Sequence, residues 1–315
     1  MCPNGLQLGI SFGHGLTPTQ VVEGSREADK AGLKVIFVSE SVGFDALVLL
    51  GSIADQTNNV RIGSGIVNIY SRSPVQLAMA AATIDELSHG RFILGIGVSS
   101  KEVVTRWHGI EFSQQLERAI KSIDIIKSKL DEIRNKSVAS SNAKIPIILA
   151  AVGPKMTRIA KDKTDGVLFF LRPFSSLRKE TGLSSNNFAV HASIVTCVSH
   201  NNRSAEQRAR KTIAFYIVNG TAYRNYLERY PDLLPYETAE TVRAEWQKGR
   251  RDEAARLIPQ ALLDELAIYG TVSECRKRIE NHYSNLGLDT LLMQFNQGEV
   301  PFSESLQLIL LLAKE

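Results

Sequence analysis

Short β-rich runs alternate with helical patterns from one end of this chain to the other, and that alternation restricts the fold more than any other feature. Leu6 to Phe12 reads as a strand, and Thr17 opens a helix that runs to about Ala31. Val35 to Val38 is a buried strand and Asp45 to Thr57 the next helix. Arg61 to Ile66, Phe92 to Gly97, Ile145 to Ala150, Gly166 to Phe170, Ala189 to Val198 and Leu291 to Phe295 supply six more strands. Thr17-Pro18-Thr19-Gln20 and Ser73-Pro74-Val75-Gln76 are matching helix starts. In each, a hydroxyl caps, proline suits the first helical position, and Gln closes a capping box. Leu116, Ala119, Ile120, Ile123, Ile126, Leu130 and Ile133 follow the 3–4 spacing of an amphipathic helix, and Ser305 to Ala313 forms a last one.

The early strands recur roughly every 27–31 residues, the length of a βα unit. Eight strands separated by helices predict an α/β fold, a (β/α)8 TIM barrel rather than an open doubly wound sheet. The interval from the seventh strand to the eighth approaches about 100 residues, and Tyr223 to Tyr269 within it reads as mostly helical. This predicts a single domain over residues 1–315, with a mostly helical insertion at approximately 219–270 between strands 7 and 8. Phe174 to Asn187, polar and serine-rich, reads as a surface excursion.

Composition excludes several classes. With 43% apolar and 22% charged residues, a disordered or fibrous chain is ruled out. The net charge of +4 is not concentrated in any Lys/Arg block, so nucleic acid is not an expected partner. Cys2, Cys197 and Cys275 lie far apart with no C-x-x-C pair, and the six histidines show no H-E-x-x-H or other ligand spacing, so no metal is expected. Met1 to Gly5 lack a signal-peptide pattern, and the longest apolar runs, Ile147 to Val152 and Leu308 to Ala313, are too short for a bilayer. The expectation is a cytoplasmic protein without a membrane partner.

In such barrels chemistry sits where strands end and βα loops begin. The candidates are Ser11 and His14 after strand one, then Ser39, Glu40 and Ser41 after strand two. Strand three offers Ser64, Gly65, Ile66, Asn68, Tyr70 and Arg72, and strand four Ser99 and Ser100. Strand five offers Ala151, Val152, Gly153 and Pro154, and strand eight Gln294 and Asn296. Glu40 is the carboxylate of this set, a candidate for proton transfer or for orienting a cofactor. Gly95-Ile96-Gly97 is followed by Val98-Ser99-Ser100 and is not a dinucleotide fingerprint, and no G-x-S-x-G elbow occurs. Gly153-Pro154-Lys155-Met156 fits two readings: an anion cradle at a helix N-terminus with N–H donors from Gly153, Lys155 and Met156, or an ordinary proline-led helix start.

Longer stretches carry a resemblance. They are Ile62 to Pro74, Ala81 to Gly97, Ser99-Ser100-Lys101 with Trp107 to Phe112, Ile145 to Met156 with Asp165-Gly166, and Ile268 to Thr271. In these the chain resembles the luciferase-like monooxygenase superfamily, particularly its coenzyme F420 branch, with the methylenetetrahydromethanopterin reductases as the most similar members. The resemblance implies a cytoplasmic, dimeric barrel enzyme that transfers a hydride between the deazaflavin and a small organic substrate. It implies a cis peptide at Gly65–Ile66 bulging strand three behind the ring, with Ser41, Ser64 and Asn68 near the cofactor. It also implies Ser99 and Ser100 near the ribityl–phosphate arm, and Val152-Gly153-Pro154-Lys155 as the phosphate turn, with Lys155 and Arg158 as cations for the acidic tail. Many deazaflavin members carry Asp-His after strand two, where this chain has Glu40-Ser41, and the methanopterin reductases carry an acid at strand one, where it has Ser11. Glu40 is therefore the expected catalytic carboxylate. The alternatives are an FMN-dependent monooxygenase and a non-catalytic cofactor-binding barrel.

Overall fold

The computed structural model describes residues 5–13, 15–136, 144–179, 183–185, 187–295 and 300–314. Cys2, His14 and Asn296 lie outside the described residues. The strands are β1 (Gln7–Phe12), β2 (Val35–Val38), β3 (Arg61–Ser64), β4 (Val67–Asn68), β5 (Phe92–Gly97), β6 (Ile147–Ala150), β7 (Gly166–Phe170), β8 (Ala189–Val198), β9 (Ala267–Gly270) and β10 (Thr290–Phe295). All pairings among them are parallel, and β10 pairs with both β1 and β8, closing the sheet. With β3 and β4 as two halves of one stave, the result is an eight-strand (β/α)8 barrel.

The sheet is wrapped on the β1–β6 side by α1 (Pro18–Lys30), α2 (Ala46–Gln56), α3 (Pro74–Leu87), α4 (Gln115–Lys136) and α5 (Pro154–Lys163). Both expected capping boxes are present, Thr17 with Gln20 on α1 and Ser73 with Gln76 on α3, and Asp45 caps α2. These starts fix where each chain segment leaves the barrel end, and so fix the loops that follow β1, β2 and β4. No helix among the described residues is long and apolar enough to cross a membrane.

Inward register positions are filled by Val35, Phe37, Ile93, Ile148, Leu168 and Leu292, which pack as one cluster inside the barrel. The alternate residues of the same strands, Ile36, Ile62, Leu94, Leu149, Val167 and Met293 among them, pack outward under the helices. This two-sided burial is why the strands read as continuous apolar runs.

After β7 come α6 (Phe174–Lys179) and, after β8, α7 (Asn202–Asn219), α8 (Thr221–Leu227), α9 (Tyr236–Gln247), α10 (Arg251–Arg256) and α11 (Gln260–Leu266). The helices α7–α11 have a core of their own, in which Ile213, Ile217, Val242 and Leu262 pack against Val195 and Cys197 of β8. Then α12 (Val272–Arg278) leads to β10, and α13 (Phe302–Leu310) ends the fold.

The stretch between strands seven and eight is mostly helical, as expected, with one addition, and two other expectations are corrected. The addition is a strand, β9, hidden at the end of a helical pattern and only four residues long. It forms because ten-residue β8 outruns its neighbours, and Val195 to Val198 pair with Ala267 to Gly270. Phe174 to Asn187 is not wholly a surface excursion: α6 buries Ser176 and Leu177. Strand three does not run to Ile66, but stops at Ser64 and resumes at Val67.

Candidate active site at the barrel mouth

Beyond the packed interior, the same strands turn small at their C-terminal ends. Ser11, Gly97, Ala150 and Ser193 follow the inward-facing interior residues, with Gln294 on β10. These small side chains leave the β1, β5, β6 and β8 part of the mouth shallow, while Phe170 of β7, in the same layer, packs edge-on against Tyr216 and Tyr223. Ile66 forms part of the floor of this shallow basin. A Cβ at Gly97 would meet Ile66 Cδ1 at 3.0 Å and Ala150 Cβ at 3.2 Å, so the missing side chain is what admits Ile66 there.

The Gly65–Ile66 peptide is cis. The end of β2 holds this bulge by its polar groups: Gly65 N donates to Val38 O at 2.8 Å, Ser39 Oγ donates to Gly65 O at 2.8 Å, and Glu40 N donates to Ile66 O at 3.3 Å. The Phe37 ring lies directly under Gly65, 3.0 Å from where a Cβ would stand. Ser64 is a correction, since it does not face the mouth. It is fully buried, and its hydroxyl donates to Gly95 O at 2.8 Å and accepts from Gly95 N at 2.9 Å. It stitches β3 to β5 where the regular ladder is interrupted.

Glu40 also differs from expectation. Its carboxylate is closed against Arg72 in a bidentate pair, Nη1 to Oε1 at 2.7 Å and Nη2 to Oε2 at 2.8 Å, and Oε2 accepts from Ala46 N at 3.1 Å. Arg72 Nη2 reaches Asp45 Oδ2 at 2.5 Å as well. Those partners hold Arg72 charged, well above the ordinary guanidinium range. For Asp45, burial raises the carboxyl, but Arg72 and the Val48 and Leu47 amides outweigh it and draw the group below its usual value. Glu40 is thus fixed as half of a clamp between the β2 and β4 loops, with both of its oxygens engaged. Ser41 begins the half-exposed bend beyond it.

Asn68 is buried and shapes its loop: Oδ1 accepts from Tyr70 N at 3.0 Å and Ser71 N at 2.7 Å, while Nδ2 lies 3.3 Å from His108 Nε2. Ser99 and Ser100 sit half-buried at the end of β5, Ser99 with φ of 60°. Ser100 Oγ accepts from Val103 N at 3.2 Å, starting the π-helical turn Val103–Trp107.

Glu102, not singled out from sequence, crosses the mouth. Its Oε1 accepts from Thr221 Oγ1 of α8 at 2.7 Å, and its Oε2 is buried without a hydrogen-bond partner. Burial raises this carboxyl, but the Thr221 and nearby Ser100 hydroxyls outweigh that and lower it overall. A glutamate in a first helical turn reads as an ordinary helix-dipole acid, which conceals it in the sequence. Opposite, Gln294 Nε2 donates to Tyr216 OH of α7 at 2.6 Å, and burial pushes the Tyr216 phenol up to about 12.

Val152, Gly153, Pro154 and Lys155 form the turn into α5, with Gly153 as the N-cap residue in extended conformation. A Cβ at Gly153 would find nothing within 4 Å. With φ of −115°, neither backbone geometry nor packing demands glycine here, and the space a side chain would take beside the α5 N-terminus is open. Arg172, also missed, is buried behind the turn and donates to Val152 O at 3.3 Å and Tyr226 OH at 3.1 Å, its guanidinium 4.1 Å over the Phe169 ring. Lys155 and Arg158 are exposed. Among the described residues no His/Cys/Asp/Glu cluster suits a metal.

The family model for luciferase-like monooxygenases matches residues 7–290. A Mycobacterium tuberculosis protein named as a coenzyme F420-dependent oxidoreductase is 29% identical over 318 residues, covering 87% of this chain and 91% of the relative. The 5,10-methylenetetrahydromethanopterin reductase of Archaeoglobus fulgidus is 27% identical over 265 residues, covering 76% and 78%. In structure, the coenzyme F420-dependent tetrahydromethanopterin reductase of Methanopyrus kandleri superposes with a TM-score of 0.81 at 20% identity, covering 97% of both chains, a likeness of fold. With its closed barrel and a family match spanning nearly the whole sequence, the chain belongs to the luciferase-like monooxygenase family.

Proposed function

We propose that this protein is a coenzyme F420-dependent oxidoreductase that moves a hydride between the deazaflavin and a small organic substrate. The observation that carries the reading is the open turn at Gly153. It presents helix N-terminal amides to empty space at the same barrel end as the small-residue basin, as a cofactor with a flat ring and a phosphodiester requires. The F420-named relative that matches most of the chain supports the choice of deazaflavin.

When bound, the deazaflavin supplies the hydride-carrying carbon of its central ring. The protein supplies position. Gly65 and Ile66 back the ring, Ser41 flanks it, and Ser99 and Ser100 line the arm. The amides of Gly153, Lys155 and Met156 receive the phosphate, while Val152 and Pro154 shape the turn. Ser64 and Asn68 act indirectly, by holding the strand and loop that present Ile66. Glu40 is a positioning residue, fixing the same bulge through Arg72 and its own amide. Glu102 offers a carboxylate oxygen to a substrate hydroxyl or N–H, and the Tyr216 phenol offers an O–H.

The chain acts as one domain whose insertion, approximately 219–270, walls the substrate side. It works as a homodimer in the cytoplasm, paired through the exposed apolar face of Phe44, Val48, Val75 and Met79 on the α2 and α3 side. Titrating the purified protein with F420 and with FMN, followed by turnover with reduced F420, tests the reading. Tight FMN binding without F420 affinity would overturn it in favour of a flavin monooxygenase. F420 binding without turnover across candidate acceptors would leave a cofactor-binding barrel.

A further inference from the structure

We propose that the groove between the loop joining β4 to α3 and the first half of α4, at the rim of the barrel end, is a second binding site for a small molecule bearing a phosphate or paired carboxylates. The groove has a volume of about 410 Å³ and is lined by Tyr70, Arg72 and Ser73 on one side and Glu117, Arg118 and Lys121 of α4 on the other. Arg72 is taken up by Glu40 and Asp45, so Arg118 and Lys121, beside the exposed Glu117, are the cations left to meet an anion.

Arg118 is the pointed feature. Its Cζ lies 4.6 Å over the Tyr70 ring, which is itself pinned by a hydrogen bond from its hydroxyl to Ser113 O at 2.8 Å and by contact with Phe112. The guanidinium is therefore held on one face, leaving its edge for an acceptor. Yet Nε is buried and has no hydrogen-bond partner. A buried donor without an acceptor is costly, and a carboxylate or phosphate oxygen is the partner whose geometry matches a guanidinium edge. Lys121 follows three residues later on the same helix face, so one anion can meet both. The concave shape between the loop and α4 suits a small molecule rather than a flat macromolecular surface.

This site does not depend on the cofactor reading, although the acidic tail of F420 and a free metabolite share the chemistry it recognises. The test uses the full chain without cofactor, titrated with inorganic phosphate and with citrate against chloride at constant ionic strength, by calorimetry and thermal unfolding. We expect saturable binding that Arg118→Gln with Lys121→Gln weakens at least tenfold, and that Lys121→Gln alone weakens about threefold. The melting temperature in chloride should stay unchanged. The same variants are then titrated with F420 and with its phosphate-free ring-and-ribityl precursor. Loss for F420 but not for the precursor assigns the groove to the cofactor's tail, while unchanged F420 affinity with lost phosphate binding assigns it to a free anion, and both support the site. Unaltered affinity for every anion in the folded variants overturns it, without touching the mouth.

Discussion

Replacing Glu40 by Gln separates a clamp from a proton carrier. The Glu40 side chain is 7% exposed and that of Arg72 19%, so the pair is largely desolvated, and both carboxylate oxygens are engaged. Gln keeps the shape but turns an N–H₂ donor toward the guanidinium donors and removes the neutralising charge. Removing one partner of a buried pair costs about 3–5 kcal/mol. Asp45 keeps part of the compensation through its own contact with Arg72, so a cost at or just below that range, about 2–3 kcal/mol, is expected. Urea unfolding measures this. A cycle with Arg72→Leu and Glu40→Leu should show the double variant recovering about 1–3 kcal/mol relative to the sum of the singles. In turnover, Glu40→Gln should weaken F420 binding several-fold through the Ile66 bulge and leave the limbs of the kcat/KM pH profile in place. If the variant instead keeps wild-type stability, binds F420 normally and loses turnover together with one limb of that profile, Glu40 carries the proton and the clamp argument is wrong.

Three further outcomes follow from the same geometry. Gly153→Val should fold normally, since a Cβ there meets nothing, yet weaken cofactor binding at least tenfold, whereas Gly95→Ala, whose Cβ would strike the Ser64 carbonyl, should unfold the barrel. Equilibrium binding with thermal unfolding checks both, and unchanged affinity in folded Gly153→Val would make the turn purely structural. Burial and then the Arg61 charge push the His191 imidazole down from 6.5 to about 4, so the folded state refuses a proton that the unfolded chain accepts. Stability should therefore fall by about 3 kcal/mol as the pH drops from 6.5 to 4, and His191→Phe should flatten that slope in urea titrations. Val48→Asp with Met79→Glu, placed on side chains 72% and 58% exposed, should give a folded monomer by light scattering, and a dimer that survives them would move the interface elsewhere.

The barrel was legible because its signals are local. The Thr17 and Ser73 capping boxes, the proline-led helix starts and the period of α4 each depend on residues a few positions apart, and each appears in the structure. The short β9 was not, because four residues after a helical run acquire strand geometry only from the overhang of β8. The cis Gly65–Ile66 bond stands where family resemblance put it, and Gly153 to Lys155 form the proline-led helix start that the sequence predicts. Ser64 and Glu40 lie at the right places in sequence, but their side chains are claimed by Gly95 and Arg72, partners 31 and 32 positions away. A strand-end rule locates a residue at the mouth without saying which way its side chain is drawn.

The same distinction explains why the proposed cofactor side of this mouth reads more clearly than the proposed substrate side. The turn at Gly153 and the bulge at Ile66 are built from consecutive backbone, so a short motif contains nearly all of their geometry. The substrate-side groups meet only through the fold, Glu102 with Thr221 across 119 positions and Gln294 with Tyr216 across 78, and so does Arg172, behind the Gly153 turn, with Tyr226 across 54. In each pair one partner comes from the helices between β8 and β9 and the other from the barrel. Exchanging those helices between relatives would keep the backbone of the Gly153 turn while replacing Thr221, Tyr216 and Tyr226 together. Substrate preference in this family should therefore follow the inserted helices, and cofactor preference the barrel loops. A chimera carrying this chain's insertion on a relative's barrel should take this chain's acceptor and the relative's cofactor affinity, and the opposite inheritance would show that the barrel loops alone define the substrate pocket.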